Sequence, residues 1–268
     1  MEIDMNDNEL QIQAQEYRSE LFEKFVEVGQ GHPGSTFSMV EIATTLYHGG
    51  FVRPNFDKVL ISKGHATVTL YPILTKLGII PQKEWDNWGS KDSCLRVFGN
   101  ISIPGIDVTS GSLGHGVGVG LGMCMAESNK EYYTKNVYVV ISEGELYEGS
   151  TWEALIFAAH YKPKNLTIFI DINNLIILGE TKDCVSLEPI KEKLEGFGFE
   201  IFDVDGHSTS EIKSALDVKV DVPKIILSRT VKGKGFSLME NKPNWHYMNK
   251  MSEAEIEQCR KEINNVSA

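Results

Sequence analysis

Short runs of apolar, β-branched residues alternate along the chain with longer segments whose apolar positions recur at helical spacing. Residues 137–141 and 166–170 have the character of strands buried on both faces. The segment between them, residues 148–161, predicts a helix. Two parallel strands joined by a helix place their following loops at the same edge of a sheet. We therefore expect Glu143, after the first strand, to face Asn173, after the second.

The same alternation favours one large α/β domain over residues 1–268, doubly wound, with a mostly parallel sheet and helices on both faces. An amphipathic first helix is predicted over residues 10–28, with Asn8 as its cap. Later helices are predicted at residues 116–126, 187–197, 210–216 and 252–263, and later strands at 199–204 and 224–228.

Composition and charge exclude several classes of protein. A length of 268 residues with 41% hydrophobic content can bury a sizeable core. The net charge of -11, without clustered Lys and Arg, argues against nucleic-acid binding. The four cysteines lack metal-ligand spacing, and no apolar stretch forms a signal peptide or spans a bilayer. We expect a cytoplasmic protein without a membrane partner.

The predicted sheet edge carries candidate metal ligands. The carboxylate of Glu143 and the amide oxygen of Asn173 are hard ligands of the kind that Mg²⁺ or Ca²⁺ prefers, commonly with phosphate oxygens completing the shell. This pattern indicates a cation that bridges the protein to a diphosphate. For this stretch taken alone, an ordinary acidic turn is the alternative.

Glycine-rich turns supply further candidate ligands. His32 lies in GQGHPGS and His65 in SKGH, where glycines let backbone and ligand approach closely. Two histidine N–H donors could converge on one anion. A third block, GSLGHG at residues 111–116, lacks the glycine spacing of a dinucleotide fingerprint, which disfavours a Rossmann dehydrogenase.

Seven ordered blocks across residues 10–263 resemble the transketolase family. EGELYEGSTWEA resembles its thiamine diphosphate motif, in which Gly-Asp-Gly is followed further on by Asn, and TVKGKGFSLMENKPNWH is similar to the ending of split transketolases. The resemblance implies a thiamine diphosphate-binding fold. It also implies the N-terminal subunit of a two-chain enzyme that transfers a two-carbon ketol unit from a ketose or ketose phosphate to an aldose.

The resemblance further implies roles for individual residues. The implied catalytic residues are His32, His65, His246 and Glu148. The implied thiamine diphosphate contacts are His32, His65, Gly111, Leu113, Gly114, Gly144, Glu145, Asn173 and His246. Glu143, Asn173 and the Leu175 carbonyl are the implied ligands of Mg²⁺, or of Ca²⁺ or Mn²⁺. Glu153 matches a family carboxylate at the dimer interface, and His207 is expected to be structural.

Two positions depart from the family pattern. Ser142-Glu143-Gly144 stands where the family has Gly-Asp-Gly, so Glu143 takes the aspartate's place with one extra methylene. We expect this to weaken metal binding or change metal preference. Asn100 stands where transketolases usually have a histidine that touches the donor sugar, and Asn100 cannot titrate. This substitution indicates an altered substrate.

The family's second domain has no counterpart in this sequence. The resemblance therefore implies a heterotetramer with a separate, pyrimidine-binding C-terminal chain, and it implies sugar or sugar-phosphate substrates. Alternatives are a specialised thiamine diphosphate enzyme acting on an unusual sugar, and a non-catalytic interaction subunit with a decayed metal motif. A deoxyxylulose-phosphate synthase is less favoured, because that enzyme is normally one long chain.

Overall fold

The computed structural model describes residues 4–127 and 135–265. Its strands are β1 (Lys58–Ile61), β2 (Val137–Ser142), β3 (Leu166–Ile172), β4 (Leu175–Ile176), β5 (Gly179–Glu180), β6 (Glu200–Asp205) and β7 (Lys224–Arg229). Its helices are α1 (Asp7–Val28), α2 (Pro33–Phe37), α3 (Val40–His48), α4 (Leu70–Lys76), α5 (Gln82–Asp86), α6 (Gly116–Glu127), α7 (Gly149–Tyr161), α8 (Thr181–Cys184), α9 (Ile190–Glu195), α10 (Thr209–Asp217) and α11 (Glu253–Asn265). Turns of 3-10 helix lie at Gly64–Thr69, Glu143–Tyr147 and Pro243–His246.

Five parallel strands form the main sheet in the order β1-β2-β3-β7-β6. The pairing places Ser142 opposite Asp171, and Asp171 opposite Ser228, at the carboxyl ends of three neighbouring strands. This edge is where an open parallel sheet forms its ligand crevice. The predicted strand, helix and strand unit is confirmed as β2, α7 and β3.

Alternate strand residues face two separate cores. Val140 and Phe169 point toward the core that contains α1 to α5 and α10. Val139 and Ile168 point toward the core that contains α6, α7 and α9. Helices therefore cover both faces of the sheet, which confirms the predicted doubly wound architecture and explains why these strands are apolar throughout.

Two elements differ from the prediction, one in its cap and one in its length. The cap of α1 is Asn6, not Asn8, because Asn6 and Glu9 exchange side-chain and backbone hydrogen bonds in a capping box. Helix α9 is shorter than predicted, since Pro189 disfavours helical backbone in the residue before it. Helix α6 packs closely against the sheet, since a Cβ on Gly120 would lie 2.5 Å from Val139 Cγ2.

Among the helices described, none combines the length and apolar character needed to cross a membrane. All four cysteines are free thiols.

Candidate functional site

Glu143 and Asn173 converge at the carboxyl edge of the sheet, as the strand pattern predicted. The amide N–H of Leu175 donates to Glu143 Oε1 at 2.9 Å and to Asn173 Oδ1 at 3.3 Å. Asn174, with a left-handed φ of 60°, turns the chain so that Leu175 comes back toward both side chains. Two hard oxygens and a neighbouring backbone carbonyl form a donor set that suits Mg²⁺.

Burial sets the protonation of Glu143. Burial and the nearby charge of Asp171 raise the pKa of Glu143 to about 7, although hydrogen bonds from the backbone of residues 173–175 oppose this. A bound cation would hold the carboxylate in its charged form. No group of three or more His, Cys, Asp or Glu in the described ranges could hold a metal ion. Of the three predicted metal ligands, only Glu143 belongs to these four residue types, so the metal assignment stays a prediction.

A buried ion pair lies behind these oxygens and ties four segments together. Lys63 Nζ lies 2.5 Å from Asp171 Oδ2 and also donates to the Ser35 carbonyl at 3.1 Å. Asp171 accepts hydrogen bonds from Ser38 Oγ at 2.6 Å and from Thr230 Oγ1. Although burial alone would raise it, the Lys63 ammonium holds the pKa of Asp171 below its ordinary value. Sequence reasoning named the SKGH block but missed this pair.

The three predicted histidines form a cluster. The ring centroids of His32, His65 and His246 are separated by 5.2, 5.3 and 5.5 Å. Burial lowers the pKa of His32 and His246 to about 4, and it also lowers the pKa of His65, so the rings are neutral near pH 7. Nδ1 of His32 and Nδ1 of His246 are buried without a hydrogen-bond partner in the described part of the chain. Each of these two rings therefore has a nitrogen with unmet hydrogen-bonding capacity.

Lys232 is a buried lysine that the sequence reasoning did not single out. It is 3% exposed and packs against the GHPGS turn. Its Cγ lies 3.1 Å from the position that a Cβ on Gly34 of this turn would occupy. Burial lowers its pKa to about 8, against the opposing charges of Asp171 and Glu143. Its ammonium has no hydrogen bond or ion pair with any residue in the described ranges. A buried ammonium whose hydrogen-bonding capacity is unmet is the complement of an anionic ligand.

The glycine loop at residues 111–116 adjoins the histidine cluster through Phe98. The Phe98 ring centroid lies 5.6 Å from that of His32, and its edge lies 3.8 Å from where a Cβ on Gly111 would be. Gly114 has a φ of +90°, and a Cβ there would lie 2.6 Å from Ser150 Oγ, so this position needs glycine. Leu113 is half-buried beside it.

The acidic residues after β2 occupy different environments. Glu145 is fully buried and accepts hydrogen bonds from Ser62 Oγ and from the Gly114 N–H at 2.9 Å. Glu148 is the exposed N-cap residue of α7, and Glu153 is exposed on the same helix. Cofactor contact by Glu145 and catalysis by Glu148 stay predictions.

Three further positions named from the sequence have the following contacts. His207 accepts a hydrogen bond at Nε2 from the Val231 N–H at 2.8 Å, and its Nδ1 lies 3.0 Å from Glu41 Oε2. It thus supports the turn that carries Lys232, as its expected structural role required. Asn100 is exposed and accepts a hydrogen bond from the Ser102 N–H at 2.9 Å. Gly144 packs against Ile176.

Exposed apolar side chains flank the site and cover one helix face. Segments beside the site expose Phe98, Ile101, Ile177, Leu178, Val185 and Tyr247. The outer face of α6 and α7 exposes Val119, Ile156, Phe157 and Tyr161. Apolar patches of this kind mark contact surfaces more often than free surface.

Comparison with known proteins gives consistent matches. A family model described as "Transketolase, thiamine diphosphate binding domain" matches residues 13–265. One of the subunits of the apulose-4-phosphate transketolase of Phocaeicola vulgatus is 34% identical over 249 residues, which cover 89% of this chain and 88% of that protein. "6-deoxy-6-sulfo-D-fructose transketolase subunit SqwG" of a Clostridium species is 34% identical over 253 residues, covering 90% and 91%.

Solved structures match the fold over part of their length. A transketolase from Campylobacter jejuni superposes with a TM-score of 0.87 and 27% identity, covering 97% of this chain but 43% of the other. This chain therefore spans less than half of that transketolase, but most of the two subunit relatives.

Proposed function

Since this chain belongs to the transketolase family, as its thiamine diphosphate-binding domain, we propose that it holds the metal and diphosphate of that cofactor in a two-chain enzyme. The enzyme transfers a two-carbon ketol unit from a ketose or ketose phosphate to an aldose. The observation that carries the proposal is the convergence of Glu143 and Asn173 beside Lys232, a buried lysine whose ammonium forms no hydrogen bond or ion pair in the described part of the chain.

The residues at the sheet edge fit the cofactor. Glu143 Oε1, Asn173 Oδ1 and the Leu175 carbonyl would hold Mg²⁺, or Ca²⁺ or Mn²⁺, and Lys232 would meet the phosphate oxygens. Residues 111–114 would lie against the rings, where glycines permit close approach. When bound, thiamine diphosphate supplies carbanion-stabilising chemistry that protein side chains lack.

The histidine cluster provides neutral imidazoles at the same edge. Each neutral ring has one N–H donor and one bare nitrogen acceptor. His32 and His246 can therefore donate to phosphate or sugar oxygens, or accept a proton, through a ring nitrogen. The Nδ1 of each forms no hydrogen bond within the described residues. His65 is held by Ser35 Oγ at 3.0 Å from its Nε2. We assign these three residues, with Glu148, to the catalytic set.

A separate, pyrimidine-binding C-terminal chain would complete the site. Two relatives of similar length are named as transketolase subunits, and apolar side chains are exposed around the site and on α6 and α7. We propose a heterotetramer in which the site-flanking side chains contact the partner chain. A cytoplasmic location is supported by four unpaired cysteines.

Reconstitution tests the proposal. This chain, its partner chain and their mixture are assayed for ketol transfer with Mg²⁺ and thiamine diphosphate. We expect transfer only in the mixture. Full transfer by this chain alone would overturn the two-chain proposal.

A second candidate is the same chemistry on an unusual sugar. It is favoured by Asn100, whose side chain is engaged in its own turn, and by relatives named for apulose-4-phosphate and 6-deoxy-6-sulfo-D-fructose. A panel of ketose donors, with common ketose phosphates beside these two, separates the candidates. Higher turnover of the common phosphates by the unaltered enzyme would contradict specialisation.

Lys232 makes cofactor binding depend on pH. Its free pKa of about 8 means that it loses its charge above that pH, whereas the terminal phosphate, with a pKa of about 6, is already ionised at pH 7. We expect the ratio of wild-type to Lys232→Met affinity for Mg²⁺-thiamine diphosphate to fall about tenfold between pH 7 and 9. Calorimetric titration measures both affinities.

Lys224 provides a matched control for this test. It is also buried, with a pKa lowered to about 8 by burial, but it lies at the start of β7 and donates to the Ala215 and Leu216 carbonyls. Lys224→Met should leave the affinity and its pH profile unchanged. If the ratio of wild-type to Lys232→Met affinity is unchanged between pH 7 and 9, Lys232 does not bind the anion.

A further inference from the structure

Two backbone amides of the glycine loop donate hydrogen bonds to one serine–glutamate pair. The Gly114 N–H donates to Glu145 Oε1 at 2.9 Å, and the Gly116 N–H donates to Ser62 Oγ at 3.0 Å. Ser62 Oγ in turn donates its proton to Glu145 Oε1. The single hydroxyl therefore acts as acceptor for the loop and donor to the carboxylate at once.

The pair is fixed by the sheet. Ser62 directly follows β1, and its N–H donates to the Val140 carbonyl at 2.9 Å, while Glu145 lies in the turn directly after β2. A Cβ on Gly116 would lie 2.2 Å from Ser62 Cβ, so the loop is seated directly on the serine. Two neighbouring strand ends thus set the position of the loop.

The pair itself is covered. Glu145 is fully buried and Ser62 is 3% exposed, whereas Gly111 on the same loop is exposed. Neither polar side chain can form part of the surface that a flat ring system would contact. Any effect of Ser62 or Glu145 on a bound ring must pass through the loop backbone.

We infer that Ser62 and Glu145 are positioning residues, which hold the 111–116 loop in the shape that receives the cofactor rings. This inference rests on the proposed function, because it is there that the loop is assigned to the rings. It gives Glu145 an indirect role in place of the direct cofactor contact expected from sequence. Supporting groups of this kind typically affect ligand affinity by about 10- to 100-fold.

Two probes separate the loop from the metal and diphosphate site. Thiamine diphosphate carries rings and diphosphate, whereas inorganic pyrophosphate carries only the anion. Calorimetric titration of each, with Mg²⁺, into the full chain assembled with its partner should show that Ser62→Ala and Glu145→Ala weaken thiamine diphosphate binding about 10- to 100-fold. Pyrophosphate binding should change less than about threefold, because within the described residues neither Ser62 nor Glu145 forms a hydrogen bond to Glu143, Asn173 or Lys232.

Further variants distinguish a loss of cofactor binding from a loss of folding. Glu145→Gln keeps the Oε1 acceptor for Ser62 and Gly114, so it should bind thiamine diphosphate within about threefold of wild type. Ser150 is exposed, and its Oγ donates to the Gly114 carbonyl at 2.9 Å, so Ser150→Ala should give a smaller but still ring-selective loss without a folding cost. Ser93→Ala is the matched control, because Ser93 is also buried but its hydroxyl bonds to the Glu84 carbonyl and the Leu95 N–H instead of the loop.

The outcomes are distinguishable. Ring-selective losses in Ser62→Ala, Glu145→Ala and Ser150→Ala, with Glu145→Gln near wild type, support the inference. Equal losses for both probes, or no loss in folded variants, overturn it while leaving the proposed function intact. If the wild-type assembly binds neither probe, the proposed function fails and this inference fails with it.

Discussion

Replacing Asp171 with Asn should lower the free energy of unfolding by about 3–5 kcal/mol. Lys63 and Asp171 are both essentially inaccessible to solvent, with 0% and 1% side-chain exposure, and their charged atoms lie 2.5 Å apart. Removing the carboxylate charge leaves a buried ammonium whose remaining acceptors, the oxygens of Ser35, Ser38 and the new amide, are all neutral. Urea denaturation measures the loss.

Two comparisons sharpen this test. The double variant Lys63→Met with Asp171→Asn should lose less stability than the sum of the two single variants, because no unpaired charge remains. Glu23 and Arg260 form an ion pair whose side chains are each 46% exposed, so Glu23→Gln should cost less than about 1 kcal/mol. A cost for Asp171→Asn as small as that of Glu23→Gln would show that the buried pair does not hold the four segments together.

Replacing Asn173 with Ala should weaken Mg²⁺-dependent binding of thiamine diphosphate by at least about 100-fold. The substitution removes one of the two side-chain oxygens that converge at Leu175, and Glu143 alone cannot satisfy a cation that takes six or more ligands. Glu143→Gln should have a similar effect because it removes the negative charge. Titration with and without Mg²⁺ gives the affinity of each variant.

Glu143→Asp tests the extra methylene at this position. We expect the aspartate variant to bind more tightly or to change its preference among Mg²⁺, Mn²⁺ and Ca²⁺. Glu84→Gln is a suitable control, since Glu84 accepts a hydrogen bond from the Cys94 N–H away from the site. Identical affinities for Glu143 and Glu143→Asp with all three metals would count against an effect of the extra methylene on metal binding.

Local pattern was sufficient for the fold and for the convergence of the main site residues. Strands β2 and β3 are apolar at nearly every position, since both faces are covered, and this alone indicates a parallel sheet. Once the strands are parallel, Glu143 and Asn173 must come to one edge. The gathering of His32, His65 and His246 followed from their family blocks and not from spacing.

The missed features depend on burial that no local pattern contains. Lys63 and Lys232 lie in glycine-containing turns, whose sequence is typical of exposed loops. Only the tertiary packing shows that both side chains are buried. Ser62 is similarly an ordinary strand-end serine until the glycine loop, distant in sequence, is placed on it. Asn8 was predicted as the cap of α1, whereas the cap is Asn6, because Glu9 completes a reciprocal pair of hydrogen bonds with Asn6.

The most direct test of the proposed function is a calorimetric titration of thiamine diphosphate into the mixture of this chain and its partner chain, with Mg²⁺ and again after the metal is removed with EDTA. We predict saturable binding, one cofactor for each copy of this chain, that is lost without the metal and lost in Asn173→Ala. Metal-independent binding, or no binding by the folded mixture, would contradict the assignment of the metal and diphosphate site and favour a non-catalytic interaction subunit.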